Sequence, residues 1–219
     1  MIIFKKKNQN LYLITNYKVM YSTFNCQETL TAFWPTKRWL LNLLYYKFYF
    51  ISRNPYDRIA SFYKNKFLQA EQSRKWLEAN KMGSYEKCVS HFFPYIDIDP
   101  LQDSKEISHK LMEVEFQDFI SVLPEVYMMD RHMTPQYLAK KIKLKIFGFN
   151  FSIPLKFKSC LKMENSQDLT DLKNIFELDL SINVNSTKSL EDKVLWDEKS
   201  YSIIKTLYSQ DFKQFGYNY

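Results

Sequence analysis

The chain has 219 residues, 46 % of them hydrophobic and 17 % aromatic, which excludes a disordered polymer and fits one catalytic-sized domain, residues 1–219, around a single sizeable core. Its net charge of +7 suits an anionic cofactor, an anionic glycan or a nucleic acid, and the last is set aside because no recognisable nucleic-acid motif is present. Three widely spaced cysteines, Cys26, Cys88 and Cys160, form no Cys-x-x-Cys or Cys/His cluster, which argues against a disulfide framework or structural zinc and for reduced thiols.

Met1 to Phe4, followed by Lys5-Lys6-Lys7, does not read as a signal peptide, and the lysines read as a solvated face. Leu11–Thr15 is an apolar strand, followed by the loop Asn16-Tyr17-Lys18-Val19-Met20-Tyr21-Ser22-Thr23. Phe24–Phe33 reads as a helix that ends before Trp34-Pro35, because a residue preceding proline is pushed out of the α region. Tyr46–Ser52 is a second apolar strand, and a helix between parallel strands makes a βαβ unit. The run from Trp39 to Ile51 is interrupted by Asn42 and Lys47 and is too short to span a bilayer. Arg53 ends the second strand, Asn54 is a good N-cap, and Pro55 suits the first helical position. Ile59, Phe62, Tyr63 and Phe67 give the following helix an apolar stripe, with Ser61 off it. Further helices are expected at Tyr85–Phe93, Val114–Leu123 and Leu169–Phe176, and a strand at Leu155–Met163. Between Asn80 and Val114 the signal is poor, and Asp97, Asp99 and Pro100 suggest a loop. Lys140, Lys141, Lys143 and Lys145 form a basic cluster, read either as a solvated face or as a rim for an acidic acceptor. Ile204, Leu207, Tyr208, Phe212 and Phe215 form the stripe of a last helix, and Gly216 is its stop.

Two of these segments carry the chemistry. A strand, a lysine loop, Ser22-Thr23 and a helix start resemble a phosphate-binding loop, in which backbone N–H groups, an ammonium and hydroxyls meet an anion. Arg53 and Ser61, after the next strand, add a guanidinium fork and a further hydroxyl, a pair suited to a phosphate. The nucleotide-triphosphate pattern Gly-x4-Gly-Lys-Ser/Thr is absent, and no carboxylate for Mg²⁺ stands clearly at a strand end, which disfavours a kinase.

With Lys18, Ser22 and Thr23 in the loop and Arg53, Pro55, Arg58, Ser61 and Tyr63 as Arg-x-Pro-x-x-Arg-x-x-Ser-x-Tyr, the sequence resembles sulfotransferases that use 3′-phosphoadenosine-5′-phosphosulfate (PAPS). The resemblance is to their carbohydrate branch, sulfotransferase family 2. Asp130-Arg131-His132-Met133-Thr134-Pro135-Gln136 is similar to that family's Asp-x-His-x-x-Pro-Gln stretch, and Lys162-Met163-Glu164 to its Lys-x-Glu strand end. Leu207 to Tyr217 is similar to its Leu-Tyr-x-x-Asp-Phe-x-x-Phe-x-Tyr ending, so the likeness runs from about Leu11 to Tyr217.

The resemblance implies an α/β, P-loop-like three-layer fold with a small central parallel sheet flanked by helices. It implies transfer of a sulfuryl group from PAPS to a hydroxyl of a carbohydrate or small acceptor, itself anionic or not, leaving 3′,5′-adenosine bisphosphate (PAP). Residues Lys18, Val19, Met20, Tyr21, Ser22 and Thr23 would hold the 5′ end, and Arg53 and Ser61 the 3′-phosphate. Lys18 would also stabilise the leaving-group oxygen, where charge builds during in-line transfer. The general base is read first as His132, then His91, with the carboxylates Glu28 and Glu164 left open. Where many relatives have glycine or alanine between the lysine and the hydroxyls, this chain has Val-Met-Tyr, and its only glycines are at 83, 148 and 216. A non-catalytic module that binds PAP or an anionic glycan is therefore the alternative. Animal relatives are anchored Golgi proteins; the lack of an anchor here points to a microbial or viral cytoplasmic enzyme, or to a trimmed Golgi-type one.

Overall fold

The computed structural model describes residues 1–36, 39, 45–71, 88–146, 149–181 and 193–218, and the side chains of 143–151 are outside that description. In chain order the elements are β1 (Ile2–Lys6), β2 (Leu11–Thr15), α1 (Tyr21–Asn25), β3 (Leu30–Ala32), β4 (Lys47–Ser52) and α2 (Pro55–Tyr63). Then come α3 (Ser104–Glu113), α4 (Phe116–Val126), β5 (Lys141–Ile146), β6 (Phe149–Pro154), β7 (Phe157–Lys162), α5 (Ser166–Phe176), α6 (Glu198–Leu207) and α7 (Ser209–Phe215). Two compact units emerge: residues 1–54, 135–185 and 210–218 form the first, and 55–134 with 186–209 the second.

The first unit holds a five-stranded sheet in the order β3-β1-β2-β4-β7. β2, β4 and β7 run parallel, as the two-strand βαβ reading expects, with Ile14 beside Phe50 and Ser52 beside Lys162. β1 and β3 extend the sheet antiparallel and were not expected. Strand alternation sends Leu13, Tyr49 and Ile51 to one face, where Phe24 of α1 and Leu172 and Phe176 of α5 cover them. It sends Tyr12, Ile14, Phe48 and Phe50 to the other, against Trp39, Ala139, Ile142 and Phe215 of α7. The three-layer α/β expectation is met in this unit.

Several expectations change. The helix expected over Phe24–Phe33 is only the short α1; the chain then turns, and Leu30–Ala32 pairs with β1. Threonines at 29 and 31 suit an extended chain, and β1 offers the edge that a sequence reading did not anticipate. Lys6 is not on a solvated face: it is buried, and its Nζ donates to the Ile175 carbonyl (2.9 Å) and to Glu177 (2.8 Å). The final stripe is two helices, broken at Tyr208, whose buried hydroxyl donates to the Met133 carbonyl (2.6 Å). Gly216, with φ +63°, is the stop expected there. Of the helix expected at Tyr85–Phe93, residues 85–87 lie outside the described residues, and Phe93–Tyr95 is a 3₁₀ turn.

The second unit packs aromatic side chains from α2, the π-helical turn that continues it, and α4. Phe62, Tyr63, Phe67, Phe92, Phe116 and Phe119 meet with ring centroids 5.1–6.4 Å apart. Each such pair adds about 0.5–1.5 kcal/mol beyond area burial. α3 stands where Asp97, Asp99 and Pro100 suggest a loop; its cap, Asp103, accepts from the Lys105 and Glu106 amides.

Candidate active site

Three parallel strands deliver their carboxyl ends to one edge of the sheet, where anionic ligands bind in α/β folds. There the Lys18 loop follows β2, Arg53 follows β4, and Lys162-Met163-Glu164 closes β7. The loop is set from within by Val19, fully buried in the core, whose carbonyl accepts from Thr15 Oγ1 (2.8 Å). On either side of it Lys18 (φ +65°) and Met20 (φ +52°) are left-handed. That conformation costs a residue with a Cβ roughly 1–2 kcal/mol, which is the physical meaning of a glycine-free loop here. Met20 accepts the first helical hydrogen bond of α1, from the Phe24 amide, so Ser22 and Thr23 occupy its first turn.

Arg53 secures this loop. Its Nη1 donates to the Lys18 carbonyl at 3.0 Å. Its own main chain is held by Gln136, whose Oε1 accepts from the Arg53 amide (3.0 Å) and whose Nε2 donates to the Arg53 carbonyl (2.7 Å). Asp211, fully buried in α7, accepts from the amides of Gln136 and Tyr137, both at 2.8 Å. The neighbouring amide of Asn54 donates to Glu164 Oε1 (2.7 Å), and the Tyr217 hydroxyl donates to Glu164 Oε2 (3.0 Å). Both oxygens of Glu164 therefore brace main chain and tail. Lys140, from the basic cluster, lies over the Phe215 ring, and Lys141 is exposed.

In the second unit Asp130 organises His132. Its Oδ1 accepts from the His132 amide at 2.8 Å and meets ring atom Nδ1 at 2.5 Å. Burial pushes the Asp130 carboxyl up, but the hydrogen bonds from His132 outweigh this and hold it below the usual carboxylate range. Arg58 of α2 is completely buried and donates to the carbonyls of His132 (3.4 Å), Met133 (3.0 Å) and Thr134 (3.0 Å), with its guanidinium over the Tyr208 ring. Ser61 is half-buried on α2, and the Tyr63 hydroxyl donates to the Val114 carbonyl (2.7 Å). Thus Lys18 and Arg53 meet within the first unit, whereas Ser61 and His132 belong to the second.

A family model described as the sulfotransferase family matches residues 5–218, nearly the whole chain. The chain belongs to the sulfotransferase family. No curated protein and no solved structure matches it. The family's activity is sulfotransfer, which makes this chain a transferase acting on a hydroxylated acceptor. For a sulfotransferase, the donor set of an ammonium, a guanidinium and two hydroxyls at the helix start has the chemistry that phosphate and sulfate oxygens require. No helix among the described residues is long and apolar enough to cross a membrane. The sequence gives Gln136 and Asp211 no role beyond their order in the motifs, because their contacts span 74 residues or more.

Proposed function

We propose that the chain, acting as a single catalytic domain, transfers a sulfuryl group from PAPS to a hydroxyl of a carbohydrate or other hydroxylated acceptor. The observation that carries this reading is the 3.0 Å bond from Arg53 to the Lys18 carbonyl, which joins the arginine turn to the lysine loop. PAPS supplies an activated sulfuryl group and a 3′-phosphate that distinguishes it from ATP. Lys18, Ser22 and Thr23, with the main chain of Val19, Met20 and Tyr21, hold the 5′ end; Arg53 and Ser61 hold the 3′-phosphate. Lys18 places positive charge where the leaving oxygen develops its negative charge. Asp130 keeps the Nδ1 side of His132 engaged, so Nε2 is the atom that takes the acceptor's proton. Cys26, Cys88 and Cys160 form no disulfide, which fits a reducing, cytoplasmic setting.

A second reading, a module that binds PAP or an anionic glycan without transfer, is favoured by the left-handed Lys18 and Met20, which hold the loop without glycine. Thermal stabilisation by PAP, compared with AMP and ATP, tests the donor site. Preferential stabilisation that Arg53→Ala removes supports it, and an equal or absent response sinks it. Labelled sulfate transfer onto a glycan panel then separates the two readings, since the module would bind PAP and transfer nothing.

A further inference from the structure

Arg53 stands just past the end of β4, where its amide and carbonyl have left the strand ladder and would ordinarily turn to water. Instead a single side-chain amide takes both. Gln136 accepts from one and donates to the other at 3.0 and 2.7 Å, using the separate acceptor and donor atoms that a carboxamide carries. Gln136 is itself fully buried, and its position is set by Asp211, also fully buried, through two amide contacts of 2.8 Å. Apolar residues would fill this interior at lower desolvation cost, so a satisfied polar network points to precise geometry as its return. What it positions is the arginine whose guanidinium holds the carbonyl of left-handed Lys18.

We infer that Gln136 and Asp211 are positioning residues for donor binding: Asp211 sets Gln136, Gln136 fixes the main chain of Arg53, and Arg53 keeps the Lys18 loop in its anion-binding form. This rests on the reading of Lys18 and Arg53 as donor-binding residues. A link of this kind acts on donor affinity, whereas a merely structural role acts on folding stability alone.

The test uses the full chain with Gln136→Glu, which keeps the acceptor but loses the Nε2 donor, and Asp211→Asn, which leaves Gln136 intact. Gln136→Asn, one methylene shorter, serves if the glutamate variant does not fold. PAP affinity is measured by calorimetry well below each melting midpoint, and the KM values for donor and acceptor follow. The expected result is PAP binding weaker by about tenfold or more, with a raised donor KM and an unchanged acceptor KM. Lower melting midpoints with unchanged PAP affinity overturn the inference. If the wild type binds PAP and Arg53→Ala loses it while these variants do not, the inference falls and the donor-site reading stands. If the wild type does not bind PAP, both fall.

Discussion

Asp130 meets His132 twice with one carboxylate oxygen, at the backbone amide and at ring atom Nδ1. The ring is thereby oriented as well as restrained, which is what a general base needs. His132→Ala is expected to lower sulfate transfer by roughly 10²–10⁴-fold with the fold retained, measured by labelled transfer alongside circular dichroism.

The same contact sets a dependence on acid. The carboxyl of Asp130 is held below its ordinary value in the folded chain, so its contribution is present in full above about pH 4 and is lost as pH falls through that lower folded-state value. Wild type and Asp130→Asn should therefore differ in urea stability at neutral pH and converge in acid. A difference that does not change with pH would refute the assignment.

Arg58 holds three successive carbonyls from a fully buried position, and its Nε is buried with no hydrogen-bond partner among the described residues. Arg58→Met strips this donor from the His132 and Thr134 carbonyls and leaves the Met133 carbonyl to the Tyr208 hydroxyl, so at about 1–3 kcal/mol for each acceptor left unmatched a total loss of about 2–5 kcal/mol is expected by denaturant titration. Arg58→Lys should recover only part, because one ammonium cannot span the three acceptors that a planar fork reaches.

Tyr63 is pushed up to about 12 by burial, reinforced by Glu115 and Asp118. A folded value above the unfolded one means its contribution is complete below about pH 10 and is lost as pH rises towards 12. Ultraviolet titration should show late-ionising phenol, part of which Tyr63→Phe removes and part of which stays with Tyr12, itself pushed up by burial. Tyr63→Phe, which removes the 2.7 Å bond to Val114, should cost about 1 kcal/mol at neutral pH and progressively less in alkali.

Lys6 and Glu177 differ sharply in exposure, 6 % against 66 % at the side chain. Glu177→Gln should cost less than about 1 kcal/mol, as exposed partners do. Lys6→Ala should cost about 1–3 kcal/mol, because it also strips the Ile175 carbonyl near the end of α5 of its donor and removes buried methylenes. Equal losses in the two variants would contradict this division.

What could be read along the chain was whatever its physics is local. Short apolar runs marked β2 and β4, Pro55 marked the start of α2, and the left-handed Gly216 marked the end of α7. Lys18, Arg53 and the ordered motifs were likewise visible, since spacing from a strand end is a property of the sequence alone. Asp103 and Glu106, three residues apart, are a local signal for α3 as well.

The rest needed partners distant in sequence. β3 is a strand only because β1 offers it an edge, and Lys6 is buried only because the end of α5 supplies its acceptors. Asp211 and Gln136 are ordinary polar residues until folding brings them to Arg53, where burial makes each unsatisfied hydrogen bond costly and each satisfied one directional. Sequence by itself determined the sulfotransferase family and placed Lys18 and Arg53 just beyond strand ends. Tertiary structure alone decided what holds Arg53 and the carbonyls of His132 to Thr134 in place, because hydrogen bonds across 74 or more residues leave no period in the chain to read.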